Sequence, residues 1–361
     1  MSHTIFITGG AGYVGAMLCE QLSAMPHVSK IIALDKDEMP ESLKGNQKIV
    51  WITANTADTD DWWDMVTKEN PDVVIHTAWQ IRELYGRQHI EWRWNVEGSQ
   101  RIFEFAFSSP SVKRIVYFST ASIYGAYATN TLDHLFTEDE PMREEEYSYG
   151  REKKRVEEIL RTLYEEKKSK GVVTPVVSVV RPAAITGPRG RFMRVRFGLQ
   201  SALMGNLTGN FFYRLVTLLV SYVPATPWWV RQYIHEDDVN DIVTLLALDE
   251  KVTHEYEVFN ITPPGEPVYA KQMAEIAHKK ILHVWPWMVR LAFFIFWHIS
   301  RGKIPNGRGV WRFYSYPIVM SGKKLIDRYG YQYTYSPRDA FAYTHGRYEK
   351  YVPKEKQVKK S

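Results

Sequence analysis

The stretch Thr8-Gly9-Gly10-Ala11-Gly12-Tyr13-Val14-Gly15 decides the fold, because its glycines stand where an apolar run gives way to a helical pattern. The apolar run before it covers residues 4–8, and a second apolar run covers residues 31–34. Asp35 closes the second run. The order of strand, glycine turn, helix, strand and acid predicts a βαβ unit with a ligand at the turn.

Each of three glycines in this turn has a separate physical use. Gly9 allows a tight turn, Gly12 lets the backbone approach a pyrophosphate, and Gly15 lets the helix pack closely on its strand. Phosphates are favoured at a helix N-terminus, where backbone N–H groups and the helix dipole attract negative charge. The turn therefore predicts a dinucleotide site, to which Tyr13 and Val14 also belong.

Asp35 lies 20 residues after Gly15 and is expected to accept hydrogen bonds from the adenosine ribose hydroxyls. Its negative charge would repel a 2′-phosphate, so we expect NAD rather than NADP. Lys36, the next residue, weakens this preference and is counted with the cofactor-binding residues.

Composition indicates an ordinary globular chain of one large domain or two sharing an interface, with 361 residues, 45% of them hydrophobic and 24% charged. The net charge of +5 comes partly from lysines in the tail 346–361, so we infer no nucleic acid partner. The one cysteine, Cys19, falls in the first helical pattern and fits a reducing compartment. No charged and apolar leader precedes the first strand, so we expect a cytoplasmic protein.

Residues 285–299 form the most apolar stretch, yet they do not predict a membrane span. Arg290, His298 and Pro286 interrupt the stretch, which is shorter than the roughly 18 residues that a span needs. Its bulky side chains leave open an interfacial helix or a wall of an apolar substrate site. We favour a domain core or a dimer contact, so peripheral membrane contact is the less favoured alternative.

Short apolar runs recur between helical patterns along most of the chain. Runs of this kind, rich in β-branched residues, are typical of parallel strands covered on both faces. We therefore predict an α/β protein with a Rossmann-type doubly wound parallel sheet, whose ligand loops follow the carboxyl ends of the strands. The predicted strands are 4–8, 31–34, 49–52, 73–75, 115–118, 176–180 and 258–261.

Two strand ends carry residues that suit a cofactor. Asn55 and Thr56 follow the third strand, where an amide and backbone groups can hold the adenine edge. Thr77 and Ala78 follow the fourth strand and are small enough to leave room for the cofactor. Trp79 is expected to point from there toward the substrate.

The fifth strand is followed by residues 119–125, which include Ser119, Thr120 and Ser122. These hydroxyls lie at the expected centre of the ligand edge. A Ser/Thr cluster by itself is more often a turn or a helix cap than a catalytic group.

Tyr149 and Lys153 lie one helical turn apart and therefore share a helix face. An ammonium beside a phenol favours the phenolate, so the tyrosine can exchange a proton when hydride moves to or from a carbon that carries a hydroxyl. Tyr164 and Lys168 repeat the spacing and form an internal control. They lie about 22 Å further along the helix, away from the strand-end hydroxyls.

Together these features resemble the extended short-chain dehydrogenase/reductase family, in its NAD-dependent epimerase/dehydratase branch. The resemblance covers about residues 4–345. Its remaining motifs are Asn95-Val96-Glu97-Gly98, Arg181-Pro182, Gly187-Pro188 and Tyr233-Ile234-His235-Glu236-Asp237-Asp238-Val239.

The resemblance implies roles for individual residues. Thr120 would hydrogen-bond the reacting oxygen, Tyr149 would be the acid/base, and Lys153 would hold the nicotinamide ribose. Asn95 would support the active-site water and backbone, and Pro182 would touch the cofactor. By the same resemblance His235 to Asp238 start a helix, and we predict no metal site.

The family's reactions differ in residues that this chain lacks. Its dehydratases place Asp-Glu after the catalytic threonine, and its sugar-acid decarboxylases place a glutamate at the position of Ser122. Ala121 and Ser122 provide neither carboxylate, and the one cysteine is too remote to serve an epimerase that works beside a ketone. Hydride transfer at a single carbon remains, either out and back in a 4-epimerase or once in a dehydrogenase.

Evidence on the substrate is divided. Arg231 matches the arginine with which nucleotide-sugar enzymes hold a phosphate. Ala184 replaces their usual asparagine, and residues 308–312 replace a late Arg-x-Gly-Asp element. The apolar segments 211–230 and 285–299 resemble those of 3β-hydroxysteroid dehydrogenases. The four arginines 189, 191, 194 and 196 suit either phosphate binding or a solvated helix face that could contact a membrane surface.

We therefore predict an NAD-binding domain of residues 1–180 plus 232–262, interleaved with a smaller substrate domain of residues 181–231 plus 263–345. The favoured function is a nucleotide-sugar 4-epimerase with Trp79, Thr120, Ser122, Tyr149 and Arg231 around the substrate. An NAD-dependent dehydrogenase of an apolar alcohol is the alternative, and a non-catalytic NAD sensor or scaffold is the alternative from another class. The family resemblance suggests a homodimer.

Overall fold

The computed structural model describes residues 2–58, 61–193, 222–304 and 307–358. The strands are β1 (His3–Thr8), β2 (Val28–Asp35), β3 (Ile49–Thr53), β4 (Val73–His76), β5 (Arg114–Phe118), β6 (Val176–Pro182), β7 (Ala184–Thr186), β8 (Tyr222–Ala225), β9 (Val230–Arg231), β10 (Tyr233–His235), β11 (Tyr256–Ile261), β12 (Val268–Tyr269) and β13 (Lys280–His283).

Within the described ranges, the α-helices vary from the 22 residues of Ser148–Ser169 to several of one or two turns. They are α1 (Tyr13–Ser23), α2 (Asp61–Lys68), α3 (Gln88–Trp92), α4 (Gly98–Ser108), α5 (Ser148–Ser169), α6 (Glu236–Leu248), α7 (Ala270–Ile276), α8 (Pro286–Ile299), α9 (Lys323–Tyr329) and α10 (Pro337–Ala342). None of the helices in the described ranges is long and apolar enough to cross a membrane.

Seven strands form the central sheet, in the order β3-β2-β1-β4-β5-β6-β11. The pairings from β3 to β6 are all parallel. The seven apolar runs found in the sequence are the seven strands of this sheet, so the predicted Rossmann-type α/β fold is confirmed. The strand order reverses between β1 and β4, which is where a doubly wound sheet binds its ligand at the carboxyl ends.

Contacts within the chain define two compact units. Unit 1 comprises residues 1–120, 151–181 and 240–259, and unit 2 comprises residues 121–150, 182–239 and 260–361. The domain boundaries given by the sequence stay a prediction.

The core of unit 1 explains why its strands are so apolar. Phe6 on β1 is fully buried and packs against Trp62 of α2 and Phe105 of α4, with ring centres 6.0 and 5.7 Å away. Aromatic rings at such distances bury large apolar areas, which is the main favourable contribution to folding.

The described part of unit 2 includes three small two-stranded sheets, which pair β7 with β10, β9 with β12 and β8 with β13. Its core cluster includes Trp229, Tyr233, Met273, Tyr335 and Ala340. These residues come from widely separated parts of the chain, so this unit forms only when distant segments meet.

A buried ion pair fixes α5 to the sheet in unit 1. The guanidinium of Arg181 on β6 donates to Glu157 on α5, with Nη2 2.7 Å from Oε2. Ser119, directly after β5, donates its hydroxyl to the same carboxylate. Both charged side chains are buried, with 5% and 4% of their surfaces exposed, so each charge depends on the other for compensation.

Removing one charge of this pair is expected to destabilise the protein strongly. In Arg181→Leu the Glu157 carboxylate stays buried without its partner, so we expect the free energy of unfolding to fall by about 3–5 kcal/mol. Urea denaturation measures this loss. The double variant Arg181→Leu/Glu157→Leu should recover much of it, because neither charge is then buried.

Lys168→Leu is the matched control, because Lys168 on the same helix contacts Glu255 through an ion pair whose side chains are 55% and 64% exposed. Exposed pairs contribute little, so the unfolding midpoint should stay nearly unchanged. Equal midpoints for Arg181→Leu and the native chain would contradict the role given to the buried pair.

Candidate active site

The glycine turn joins β1 to α1 at the carboxyl edge of the sheet. Gly9 has a φ of +79°, and a Cβ there would lie 2.7 Å from the backbone nitrogen of Ala78. A Cβ on Gly15 would lie 2.0 Å from the carbonyl oxygen of Gly9. Both positions therefore require glycine, for the turn itself and for close packing of the helix on it.

Helix α1 begins directly after Gly12, and no side chain caps it. Its first turn also contains no acidic residue. A helix start with this composition suits a phosphate group, because no carboxylate competes for the positive end of the helix dipole.

Asp35 ends β2 and connects that strand to the glycine turn. Its Oδ2 accepts the Ala11 N–H at 2.9 Å, and its Oδ1 accepts the Asp37 N–H at 3.0 Å. Burial raises the pKa of Asp35. Each carboxylate oxygen keeps a further lone pair, so the side chain can still accept from a ribose hydroxyl. The ammonium of Lys36 lies 5.6 Å from the centre of the Trp94 ring.

The residues expected at the adenine side pack closely in the turn after β3. Asn55 accepts the Ala57 N–H with its side-chain oxygen at 3.0 Å. Thr56 is buried, and its hydroxyl would lie 2.5 Å from a Cβ on Gly98, at the start of α4. A Cβ at position 98 would therefore force the Thr56 hydroxyl to move.

The carboxyl ends of β1 and β4 meet at the turn. Thr77 donates its hydroxyl to the carbonyl of Thr8 at 2.7 Å, and the same oxygen would lie 3.0 Å from a Cβ on Gly15. Trp79 was expected to point toward the substrate; its ring contacts Lys153, whose Nζ lies 3.8 Å from the ring centre.

Lys153 is the most deeply buried cation of unit 1 among the candidate residues, with 2% of its surface exposed. Its Nζ donates to the carbonyl of Phe118 at the end of β5 and lies 4.9 Å from the centre of the Tyr117 ring. Burial lowers the pKa of Lys153, and the charge of Glu157 opposes this shift. The carbonyl and the ring faces favour the charged form against the desolvation.

Tyr149 lies in the first turn of α5, one turn before Lys153. The segment before it is held by Glu144, whose Oε1 accepts the N–H groups of Glu146 and Tyr147 at 2.8 Å each. Arg312 donates to the same oxygen at 3.1 Å, and both side chains are buried. The start of this helix is therefore fixed by a long-range ion pair.

The hydroxyl residues after β5 fall in different units. Thr120 is buried at the end of the first segment of unit 1. Ser122 belongs to a short 3-10 helix of unit 2, Ala121–Tyr124. Its carbonyl oxygen would lie 2.9 Å from a Cβ on Gly150, the residue after Tyr149.

Asn95 and Glu152 form a buried polar pair in unit 1. The Asn95 side chain accepts the Gln80 N–H at 2.7 Å and donates to the Gln80 carbonyl at 3.1 Å. It also donates to Glu152 at 2.8 Å. Burial raises the pKa of Glu152 to about 7. Glu152 was not among the residues predicted from the sequence, although its place directly before Lys153 was the available signal.

Tyr164 and Lys168, which repeat the spacing of Tyr149 and Lys153, both contact Glu255. The Tyr164 hydroxyl donates to Glu255 at 3.1 Å, and the Lys168 ammonium contacts the same carboxylate. This pair thus joins the far part of α5 to the segment before β11.

The arginines of unit 2 differ in their surroundings. Arg231 is half-buried, donates to the Phe313 carbonyl at 3.3 Å and lies 5.3 Å from the Tyr314 ring centre. Arg189 and Arg191 are buried, with 7% and 5% of their surfaces exposed. The interpretation as a solvated helix face is wrong for these two, because neighbouring segments cover them.

Arg191 donates from Nε to the Thr186 hydroxyl at 3.0 Å and from Nη2 to the Ala340 carbonyl at 3.1 Å. Arg194 and Arg196 lie outside the described residues, as do residues 211–221 of the first apolar segment. Pro182 is the last residue of β6.

The motif around His235 begins a helix, as the family resemblance implied. Helix α6 starts at Glu236, and His235 is buried and stacked on Tyr335. Burial lowers the pKa of His235 to about 3. Across the described ranges, no group of three or more His, Cys, Asp and Glu residues is arranged to hold a metal ion.

The residues of unit 1 fit a dinucleotide cofactor. The turn around Gly9 admits no Cβ, the start of α1 carries no competing carboxylate, and Asp35 can accept from a ribose. Lys153, one turn from Tyr149, supplies a buried cation at the carboxyl edge.

Solved structures with the same fold are known. One is the Bordetella bronchiseptica enzyme WbmG in complex with NAD and UDP, with 21% identity, a TM-score of 0.67, and coverage of 94% of this chain and 92% of that chain. Another is the Thermotoga maritima UDP-glucose 4-epimerase with UDP-glucose, with 19% identity, a TM-score of 0.66, and coverage of 94% and 96%.

A third is the dTDP-glucose 4,6-dehydratase of Bacillus anthracis in complex with NAD, with 16% identity, a TM-score of 0.66, and coverage of 94% of each chain. At these identities the likeness establishes the fold alone. No curated protein sequence matches the chain. A family model matches residues 5–262, and the chain is therefore an enzyme of the NAD dependent epimerase/dehydratase family, which uses NAD as its cofactor.

Proposed function

We propose that this enzyme is a nucleotide-sugar 4-epimerase, which moves a hydride from a secondary alcohol carbon and returns it to the same carbon. The observation that carries the proposal is the buried Lys153 one turn after Tyr149 on α5. A buried lysine at this position supports proton exchange between the tyrosine and an alcohol oxygen. It does not provide a carboxylate that could act on a neighbouring carbon.

In this proposal the residues of unit 1 hold the cofactor. The start of α1 after Gly12 takes the pyrophosphate, Asp35 takes the adenosine ribose, and Lys153 takes the nicotinamide ribose. Asn55, Thr56, Thr77, Ala78 and Asn95 complete this set at the same edge. NAD supplies a reversible hydride acceptor when it is bound.

Tyr149 acts as the acid/base in the proposed reaction. Its phenolate oxygen takes the proton of the substrate hydroxyl as hydride leaves, and returns it when hydride comes back. The positive charge of Lys153 stabilises the phenolate electrostatically, and the low dielectric around Lys153 strengthens this attraction, which offsets part of the desolvation that lowers the pKa of Lys153. Thr120 hydrogen-bonds the reacting oxygen and fixes its place.

The absence of acid groups favours simple hydride exchange over elimination. Residues 119–125 contain no Asp or Glu, so no carboxylate directly follows Thr120 to remove a proton from a neighbouring carbon. Arg231 is a half-buried cation beside an aromatic ring in unit 2, and its remaining donors suit a substrate phosphate.

A dehydrogenase of an apolar alcohol is the second candidate. Arg312, from the segment that replaces the family's late Arg-x-Gly-Asp element, is occupied by Glu144 and Glu146 at 3.1 and 3.2 Å. This pairing, together with Ala184, reduces the number of groups available for a diphosphate. A non-catalytic NAD sensor is the third, and Tyr149 with Lys153 argues against it.

The test of the proposed function distinguishes epimerisation, in which the cofactor is not consumed, from net oxidation of the substrate. Purified enzyme is incubated with UDP-glucose, UDP-galactose and the corresponding dTDP-sugars while absorbance at 340 nm and sugar identity are followed. We expect interconversion of 4-epimers without accumulation of NADH. Net NADH production with a sterol or terpenoid alcohol, and no epimerisation, would overturn the proposal in favour of the dehydrogenase.

Tyr149→Phe is expected to lower turnover by about 10²- to 10⁴-fold, because the general acid/base is lost. NAD binding, measured by calorimetry, should persist because the phenol hydroxyl is not needed to hold the dinucleotide. Tyr164→Phe is the matched control, since its hydroxyl contacts Glu255. Full activity in Tyr149→Phe would disprove the catalytic assignment.

Asp35→Asn is expected to shift the cofactor preference toward NADP. The amide oxygen can still accept the Ala11 N–H, while the charge that repels a 2′-phosphate is removed. We expect the ratio of NADP to NAD dissociation constants to fall by about tenfold or more, which corresponds to about 1.4 kcal/mol. Asp37→Asn, whose side chain is 68% exposed, should leave this ratio unchanged. An unchanged ratio in Asp35→Asn would refute the role of the Asp35 charge.

A further inference from the structure

Helix α8 exposes a stripe of large apolar side chains. We define its apolar face as the six residues at positions i, i+1, i+4, i+7, i+8 and i+12, which share one side of a helix over about 18 Å. Their exposed fractions are Trp287 65%, Met288 38%, Leu291 51%, Phe294 62%, Ile295 42% and Ile299 69%. The favoured sequence interpretation as a domain core is therefore wrong for this face.

The opposite side of α8 packs on unit 2. Val289 and Trp297 are buried, with 7% of each exposed, and Phe293 contacts Tyr314 with ring centres 5.2 Å apart. The helix is thus apolar on most sides, apart from the exposed Arg290 and from His298, whose ring contacts Phe294 within the apolar face. Helices with this composition normally lie in a core or in a lipid phase.

Exposed tryptophans extend the apolar face at the start of the helix. Trp285 is 56% exposed and Trp228 is 48% exposed, and their ring centres lie 6.1 Å apart. Leu282, on β13, is 46% exposed. Tryptophan is enriched where a protein meets the boundary between lipid and water, because its ring is apolar and its N–H is polar.

The sequence segment that contains the apolar face carries charges of one sign. No Asp or Glu occurs between Glu275 and Asp327. The same interval contributes exposed bases, which flank the helix and interrupt it once. Those nearest the helix in sequence are Lys280, Arg290, Arg301, Lys303 and Arg308, whereas Lys323 pairs with Asp327.

We propose that the apolar face of α8 binds the surface of an anionic lipid bilayer, with the flanking bases at the headgroups. A bilayer surface offers an apolar phase and a negative potential together, which matches both properties of the face. A second copy of this chain docked by the same face would bring these bases against themselves, and like charges oppose that contact. The binding does not depend on the reaction proposed above.

Vesicle co-sedimentation of the full chain tests this proposal. We compare phosphatidylcholine vesicles with vesicles that contain phosphatidylglycerol as the anionic lipid. The expected result is partitioning at least tenfold stronger on the anionic vesicles, which weakens as salt increases because the headgroup attraction is screened. No binding to anionic vesicles at low salt would overturn the proposal.

Two sets of variants separate the apolar and charged contributions. Trp287→Gln/Leu291→Gln/Phe294→Gln should lower partitioning at least tenfold while the thermal unfolding midpoint stays the same, because these side chains are exposed. Arg301→Gln/Lys303→Gln/Arg308→Gln should remove the preference for anionic lipid.

Met65→Gln/Val173→Gln is the matched control, since these apolar residues of unit 1 are 47% and 96% exposed. Equal loss of partitioning in this control would show nonspecific adsorption and overturn the proposal. Sedimentation velocity distinguishes membrane binding by this face from a contact between two copies of the chain. A dimer that the α8 triple variant dissociates, without vesicle binding by the native chain, would assign the face to a contact between two copies.

Discussion

The desolvated ammonium of Lys153 is the constraint on which the site depends. Burying an unpaired charge costs several kcal/mol, so the protein must provide compensating contacts at that point. The carbonyl of Phe118 and the faces of Trp79 and Tyr117 provide them, and all three come from the ends of β4 and β5. Parallel neighbouring strands that end together are therefore a precondition for placing this lysine.

The strands of the central sheet were predictable because the sequence pattern that indicates each strand is local. Each strand is an apolar run bounded by turn residues, and the glycine turn carries its own steric requirement at Gly9 and Gly15. The small sheets of unit 2 could not be predicted in this way. Strands such as β9 and β12 have only two residues each, so they show no periodicity, and they pair across a long chain separation.

The positions of some candidate residues were predictable from local motifs, as with Asp35 at the end of β2 and Tyr149 with Lys153 one turn apart on α5, while their roles stay predictions. Groups that act through distant partners left no such signal. The Phe118 carbonyl is backbone, Glu152 resembles any acid on a helix, and the Arg312 partner of Glu144 lies 168 residues away. The solvated-face alternative for Arg191 was wrong for the same reason, since the carbonyl that binds it belongs to Ala340.

The sequence separation between Glu144 and Arg312 also affects the order in which parts of the structure form during synthesis. The carboxylate that holds the backbone before α5 is made long before the guanidinium that neutralises it emerges from the ribosome. Gly309 reinforces the dependence, because a Cβ there would lie 2.7 Å from the nitrogen of Tyr147. A nascent chain can therefore assemble its first parallel strands early, while the helical turn that carries Tyr149 acquires its final support only after Arg312 has been translated, 168 residues beyond Glu144.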